Sequence, residues 1–131
     1  MKKISLIGCV SVMWAGIAGS ALAHHSPAVF DRTKETKLVG VVEEFRWSNP
    51  HSFIELNVRT DKGVVDTWAV EMGTPTQLVK AGWKSTTIKP GDEITVMVHP
   101  LRTDETAGQF VSVTLASGQV LTERAPLPNQ K

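Results

Sequence analysis

Four histidines carry most of the chemistry this sequence offers: His24, His25, His51 and His99. The first two follow Ala21-Leu22-Ala23, a small-x-small cleavage signal. Cleavage after Ala23 makes His24 the first residue of the mature chain. A free N-terminal His offers its α-amino nitrogen and a ring nitrogen to one metal as a chelate. That amine titrates near about pH 8, so protons compete only weakly at neutral pH. Nitrogen donors of this kind suit Cu(II) above other divalent ions. Cleavage one residue earlier would put Ala23 first and His25 third, another copper-binding arrangement. The plainer reading is a polar start that favours efficient cleavage.

His51 closes the corner Trp47-Ser48-Asn49-Pro50-His51. The ring of Pro50 fixes φ and restricts Asn49 to extended conformations, so Asn-Pro marks a turn. His51 there either bonds a backbone group of the turn or serves as a third metal ligand. Trp47, Asn49 and Glu71 are the expected binding rim around it. His99 shares parity with Thr95 and Met97, so it faces outward, and a solvated surface role suits it. In barrel order, the start of the second strand and the end of the fourth fall at opposite ends. His51 and His99 therefore do not share a metal, whereas an arm of thirteen residues, about 40 Å extended, reaches either.

Residues 1–23 read as a cleaved signal peptide: Lys2 and Lys3, an apolar run to Ala18, then the cleavage signal. The run is short for a membrane span. Leu6-Ile7-Gly8-Cys9 looks like a lipoprotein box, but cleavage there would leave an apolar core of about five residues, against the usual 7–15 or so. The mature chain is 131 − 23 = 108 residues and has lost its only Cys. A disulfide framework and a thiol nucleophile are both excluded. Removing two lysines leaves 14 − 2 = 12 basic residues against 13 acidic ones, net −1. That is no footprint for nucleic acid or an anionic membrane. The expectation is a periplasmic or secreted protein with no membrane anchor after cleavage.

The elements that must position these residues alternate with strand period. Residues 24–36 read as an extended arm held by Phe30, 37–123 as a single β-barrel domain, and 124–131 as a loose tail. Leu38 to Trp47 is strand one, with Gly40 marking a bulge or bend. Phe53 to Arg59 is strand two, with Ile54, Leu56 and Val58 inward. Thr60-Asp61-Lys62-Gly63 is a hairpin turn into strand three, Val64 to Glu71. Thr74-Pro75-Thr76-Gln77 starts a short helix, and Gly82 caps it. Glu93 to His99 is strand four, with Ile94, Val96 and Val98 inward. Phe110 to Leu115 is strand five, with Val111, Val113 and Leu115 inward, and Val120 to Thr122 is a short sixth run. This order predicts a mainly β fold: a five-stranded Greek-key barrel of OB type, with one short helix between strands three and four.

Ala23-His24-His25-Ser26, Phe30-Asp31, Trp47-x-Asn49-Pro50-His51, Trp68-Ala69-x-Glu71, Pro75, Gly82-Trp83 and Lys89-Pro90-Gly91-Asp92 span nearly all of the mature chain. Together they resemble a family of small exported proteobacterial proteins of unknown function. The resemblance implies export and a small β fold, and it supplies no activity. His99 stands outside its pattern.

Three functional readings follow. The first is a non-enzymatic binding module that holds a copper-like ion through His24 and His25, with His51. The second is a structural barrel that binds a periplasmic protein partner, with no metal. The third is a copper-dependent oxidative enzyme, for which no residue pattern identifies a substrate or a catalytic group.

Overall fold

The computed structural model describes residues 29–124. The expected signal peptide, His24, His25 and the tail beyond Arg124 lie outside them. The chain runs β1 (Thr36–Arg46), β2 (Phe53–Arg59), β3 (Val65–Glu71), α1 (Pro75–Lys80), β4 (Glu93–Pro100), β5 (Ala107–Thr114) and β6 (Val120–Thr122). The sheet order is β3-β2-β1-β4-β5-β6, and a parallel pairing of β3 with β5 closes the first five strands into a barrel. This is the expected OB-type barrel, with β6 added outside β5.

The barrel closes because β1 serves two partners. Its first half pairs with β4 and its second half with β2, and Gly40 belongs to both registers. A Cβ on Gly40 would lie 2.4 Å from the carbonyl oxygen of Asn57, so only glycine lets the backbones meet there. The bulge itself lies further on: Val42 faces Leu56 and Glu44 faces Glu55, which leaves Glu43 as the extra residue. At the seam, Gly108 fills the same role as Gly40. A Cβ there would sit 2.9 Å from the Val98 side chain.

The core is formed by Leu38, Val42, Ile54, Leu56, Val70, Ile94, Val96 and Val98, joined by Leu78, Trp83 and Ile88 from the helical segment. Strand five departs from simple alternation. Val98 pairs with Phe110 and Met97 with Ser112, so Val111 is a bulged residue. The bulge resets parity: Phe110 and Val113 are buried, while Val111 and Leu115 are only half-buried. The expectation that Val111 points inward is corrected accordingly, whereas Leu115 packs against the core from its edge.

The helix forms as its caps dictate. The Thr74 hydroxyl accepts from the Gln77 N–H at 3.2 Å, and Pro75 opens the first turn. At the other end Gly82, at φ 92°, donates to the Val79 carbonyl and Trp83 donates to that of Leu78, a Schellman closure. Six residues do not hold a helix in water. Leu78 and Trp83, both buried in the core, dock this one.

Candidate functional site

The corner after β1 brings His51 against the end of β3. The Asn49–Pro50 bond is cis, and Asn49 and Pro50 are exposed. Ser52 then ties the corner down: its N–H donates to the Gly73 carbonyl at 3.0 Å and its carbonyl accepts from Met72 N–H at 2.8 Å. Its hydroxyl is fully buried without a partner. The Ser48 hydroxyl closes the turn from the other side by donating to the His51 carbonyl at 2.9 Å.

The His51 ring is fixed at one nitrogen. Nδ1 lies 2.9 Å from the Met72 carbonyl oxygen and 3.3 Å from Glu71 Oε1. A carbonyl can only accept, so Nδ1 carries the proton, and in the neutral ring the lone pair is left on Nε2. The side chain stays 47% exposed, while that of Glu71 is 19% exposed. Turn bonding and ligation, alternatives in the sequence, are compatible here: one nitrogen serves the backbone and the other is free to donate. Metal-binding histidines are commonly oriented in this manner.

Glu123, just past β6, is the residue sequence reasoning missed. Its Oε1 accepts from the Gly73 N–H at 2.7 Å. Burial pushes its carboxyl above the usual range and the Glu71 charge adds to that; the Gly73 hydrogen bond and the charges of His51 and Arg124 act the other way. β6 holds it in place, because Trp83 Nε1 donates to the Thr122 carbonyl at 2.9 Å. No local signal marks Glu123, since it follows a three-residue strand at the edge of the sheet.

Barrel closure also revises the placement of His99. Phe53 pairs with Glu71, Glu71 with Gln109, and Gln109 with His99. Their core-facing neighbours Ile54, Val70, Phe110 and Val98 point inward, so these four side chains share the outer surface in one lateral row. Strands are spaced by about 4.8 Å, which puts His99 roughly 10 Å across the seam from Glu71. The two histidines are not at opposite ends. Glu123 and His99 line one cavity of about 250 Å³ with Arg32, Gln109 and Arg124. His99 Nδ1 donates to the Lys34 carbonyl at 2.8 Å.

The arm enters beside the same row. Phe30 is buried and bridges to Leu101, outside the barrel interior. It lines an apolar cavity of about 240 Å³ that also includes Phe53, Glu71 and Gly108. Trp47 takes a different partner from His51: it packs edge-on against Phe45, with ring centroids 5.7 Å apart. Arg46 reaches over the Phe53 ring at 5.2 Å and pairs with Glu55. Among the described residues, no group of three or more His, Cys, Asp or Glu side chains is disposed to hold a metal ion.

Known proteins add the following. No curated protein matches the chain. Among solved structures, the mitochondrial single-stranded DNA-binding protein of S. cerevisiae is similar at 11% identity, over 63% of this chain and 94% of that one, with a TM-score of 0.46. A family model described as a family of unknown function, DUF6152, matches residues 12–110.

Proposed function

We propose, from the premise that this chain belongs to the DUF6152 family of unknown function, that it is an exported binding module for a copper-like ion. In this reading cleavage after Ala23 frees His24 in the periplasm. The His24 amine and the imidazoles of His24 and His25 grip the ion, and His51 Nε2 completes the set. These donors fit Cu(II). Glu71, Trp47 and Asn49 border the site.

The observation that carries the reading is where the arm enters. Phe30 and Glu71 line one cavity, and Glu71 Oε1 lies 3.3 Å from His51 Nδ1. Six residue steps separate His24 from Phe30, about 20 Å of extended chain. That length suffices to bring the arm histidines to His51.

The test is calorimetric titration of Cu(II) into protein that begins at His24, compared with a His24→Ala/His25→Ala variant. The wild type should bind one ion and the variant at least about 100-fold more weakly, since two donors are lost at upward of about 1.4 kcal/mol each. Equal affinities would remove the metal. The second reading, a partner-binding barrel, would then stand. Its support is the groove of about 470 Å³ at Val39, Val41 and Leu115, where Val39 is 60% exposed.

A further inference from the structure

The Met72 carbonyl that accepts from His51 and the Gly73 N–H that donates to Glu123 belong to one peptide group. A single planar amide thus stands between an imidazole and a carboxylate, with a hydrogen bond of 2.9 Å on one side and 2.7 Å on the other. We infer that Glu123 is a positioning residue for His51, acting through the Met72–Gly73 peptide to hold the ring in its Nδ1–H form with Nε2 outward. This deepens the proposed function, because Nε2 is the atom assigned there to the ion.

Glu123 and His51 are coupled by polarisation in series. A carboxylate that accepts from an amide N–H draws electron density toward the carbonyl oxygen of the same amide. That oxygen becomes a better acceptor, and bonds linked in this way strengthen one another. The imidazole Nδ1–H on the far side is then held more firmly, and the opposite nitrogen gains donor strength. Ligating histidines are commonly backed by a carboxylate or a carbonyl directly; here the carboxylate acts one peptide removed. The peptides on either side of the Met72–Gly73 plane are held, because Met72 N–H and the Gly73 carbonyl are both bonded to Ser52. Rotation of the plane itself would break the bonds to His51 and Glu123.

The charged groups around the relay are few. Glu71 on β3 lies 3.3 Å from the same Nδ1 and is the direct competitor for its proton. Arg124 follows Glu123, and Arg32 and His99 border the cavity that Glu123 lines. The Gly73 N–H donates to Glu123 and not to Glu71, the other carboxylate beside His51.

The tautomer of His51 tests the relay. Two-bond proton–nitrogen correlation spectra of labelled protein, recorded above neutral pH, report which ring nitrogen carries the proton. Wild-type His51 should be mainly Nδ1–H. Glu123→Gln keeps an acceptor for Gly73 but removes the charge, and it should shift the ratio toward Nε2–H while His99 stays unchanged. Cu(II) affinity measured by calorimetry should fall about 10-fold in the same variant. A wild-type ring in the Nε2–H form, or an unchanged ratio in Glu123→Gln, overturns the relay. So does a shift seen in Glu71→Gln alone, which would give the role to the direct carboxylate. Should Glu123→Gln not fold, Glu123→Asp draws the charge back from Gly73, and the same shift is required of it. If the tautomer responds but the wild type binds no Cu(II), the relay stands and the proposed function falls.

Discussion

His51 and His99 make the same first contact and differ in what stands behind it. Each donates Nδ1–H to a backbone carbonyl, that of Met72 or that of Lys34. The Met72 carbonyl belongs to a peptide whose neighbours on both sides are bonded to Ser52 and whose own N–H is capped by Glu123. The Lys34 carbonyl belongs to a turn of the arm, held by the Asp31 carbonyl, which accepts Lys34 N–H at 3.1 Å, and by the Asp31 carboxylate, which accepts from Thr33. The first histidine is therefore set by the barrel and the second by the arm. An identical hydrogen bond means different things depending on whether its acceptor can move.

Removing the anchor of the arm should separate them most sharply. Phe30→Ala strips a buried aromatic side chain and should cost about 3 kcal/mol of unfolding free energy. In spectra of the folded fraction, His99 should lose its Lys34 contact while His51 keeps its Nδ1–H form. Simultaneous release of both rings would break the distinction. Next in size is ligation. His51→Ala should weaken Cu(II) binding 10-fold or more, about 1.4 kcal/mol, whereas His99→Ala should leave the calorimetric curve unchanged. A matching loss for His99 would place both rings on one ion across the seam.

Ser52→Ala probes the rigidity behind His51. Its buried hydroxyl has no partner, so deletion should stabilise the protein by about 1 kcal/mol in denaturant unfolding, with the His51 tautomer unaltered. Destabilisation would show that the hydroxyl has a bond in solution.

The smallest effects are in pH, and they have opposite signs on the two sides. Burial raises the Glu123 carboxyl, so the folded state binds its proton more tightly than the unfolded chain. Its contribution to stability is full below the ordinary carboxylate value and is lost as pH rises through the raised one. The Thr33 side-chain hydrogen bond leads the causes that lower Asp31. Its contribution is present above the ordinary value and is lost as pH falls through the depressed one. Melting temperatures across the acid range should therefore show Glu123→Gln gaining on wild type as pH rises and Asp31→Asn gaining as pH falls. The same sign for both would contradict the assignment.

The parts of this arrangement visible in the sequence are those written in short-range patterns. Ile54-x-Leu56 and Ile94-x-Val96-x-Val98 alternate as half-buried strands do, and Thr74-Pro75 with Gly82 brackets the helix. The OB-type order follows from them. The bulges at Glu43 and Val111 left no such mark, because either residue fits a regular strand, and the Val111 bulge reversed the expected facing of Phe110. For the site, the Asn49-Pro50-His51 corner announced itself through turn chemistry. The row joining Glu71 to His99 did not, since it exists only through the β3–β5 closure. Nor did Glu123, whose partner Gly73 lies fifty residues earlier and carries no side chain to suggest a pairing.

The Glu123 clasp also sets a timetable. The β2–β3 hairpin is local and supplies His51 with its carbonyl as soon as those two strands pair, before β4 or β5 is needed. Gly73 waits another fifty residues for its carboxylate. Contacts between residues so distant in the chain form late, because the loop between them must first be closed. A chain emerging from its N-terminus would thus display a tethered but unbacked histidine for most of its assembly, and the backing would arrive only with the last strand. On this timetable, the Glu123 clasp on Gly73 closes only once β6 has joined the five-stranded barrel.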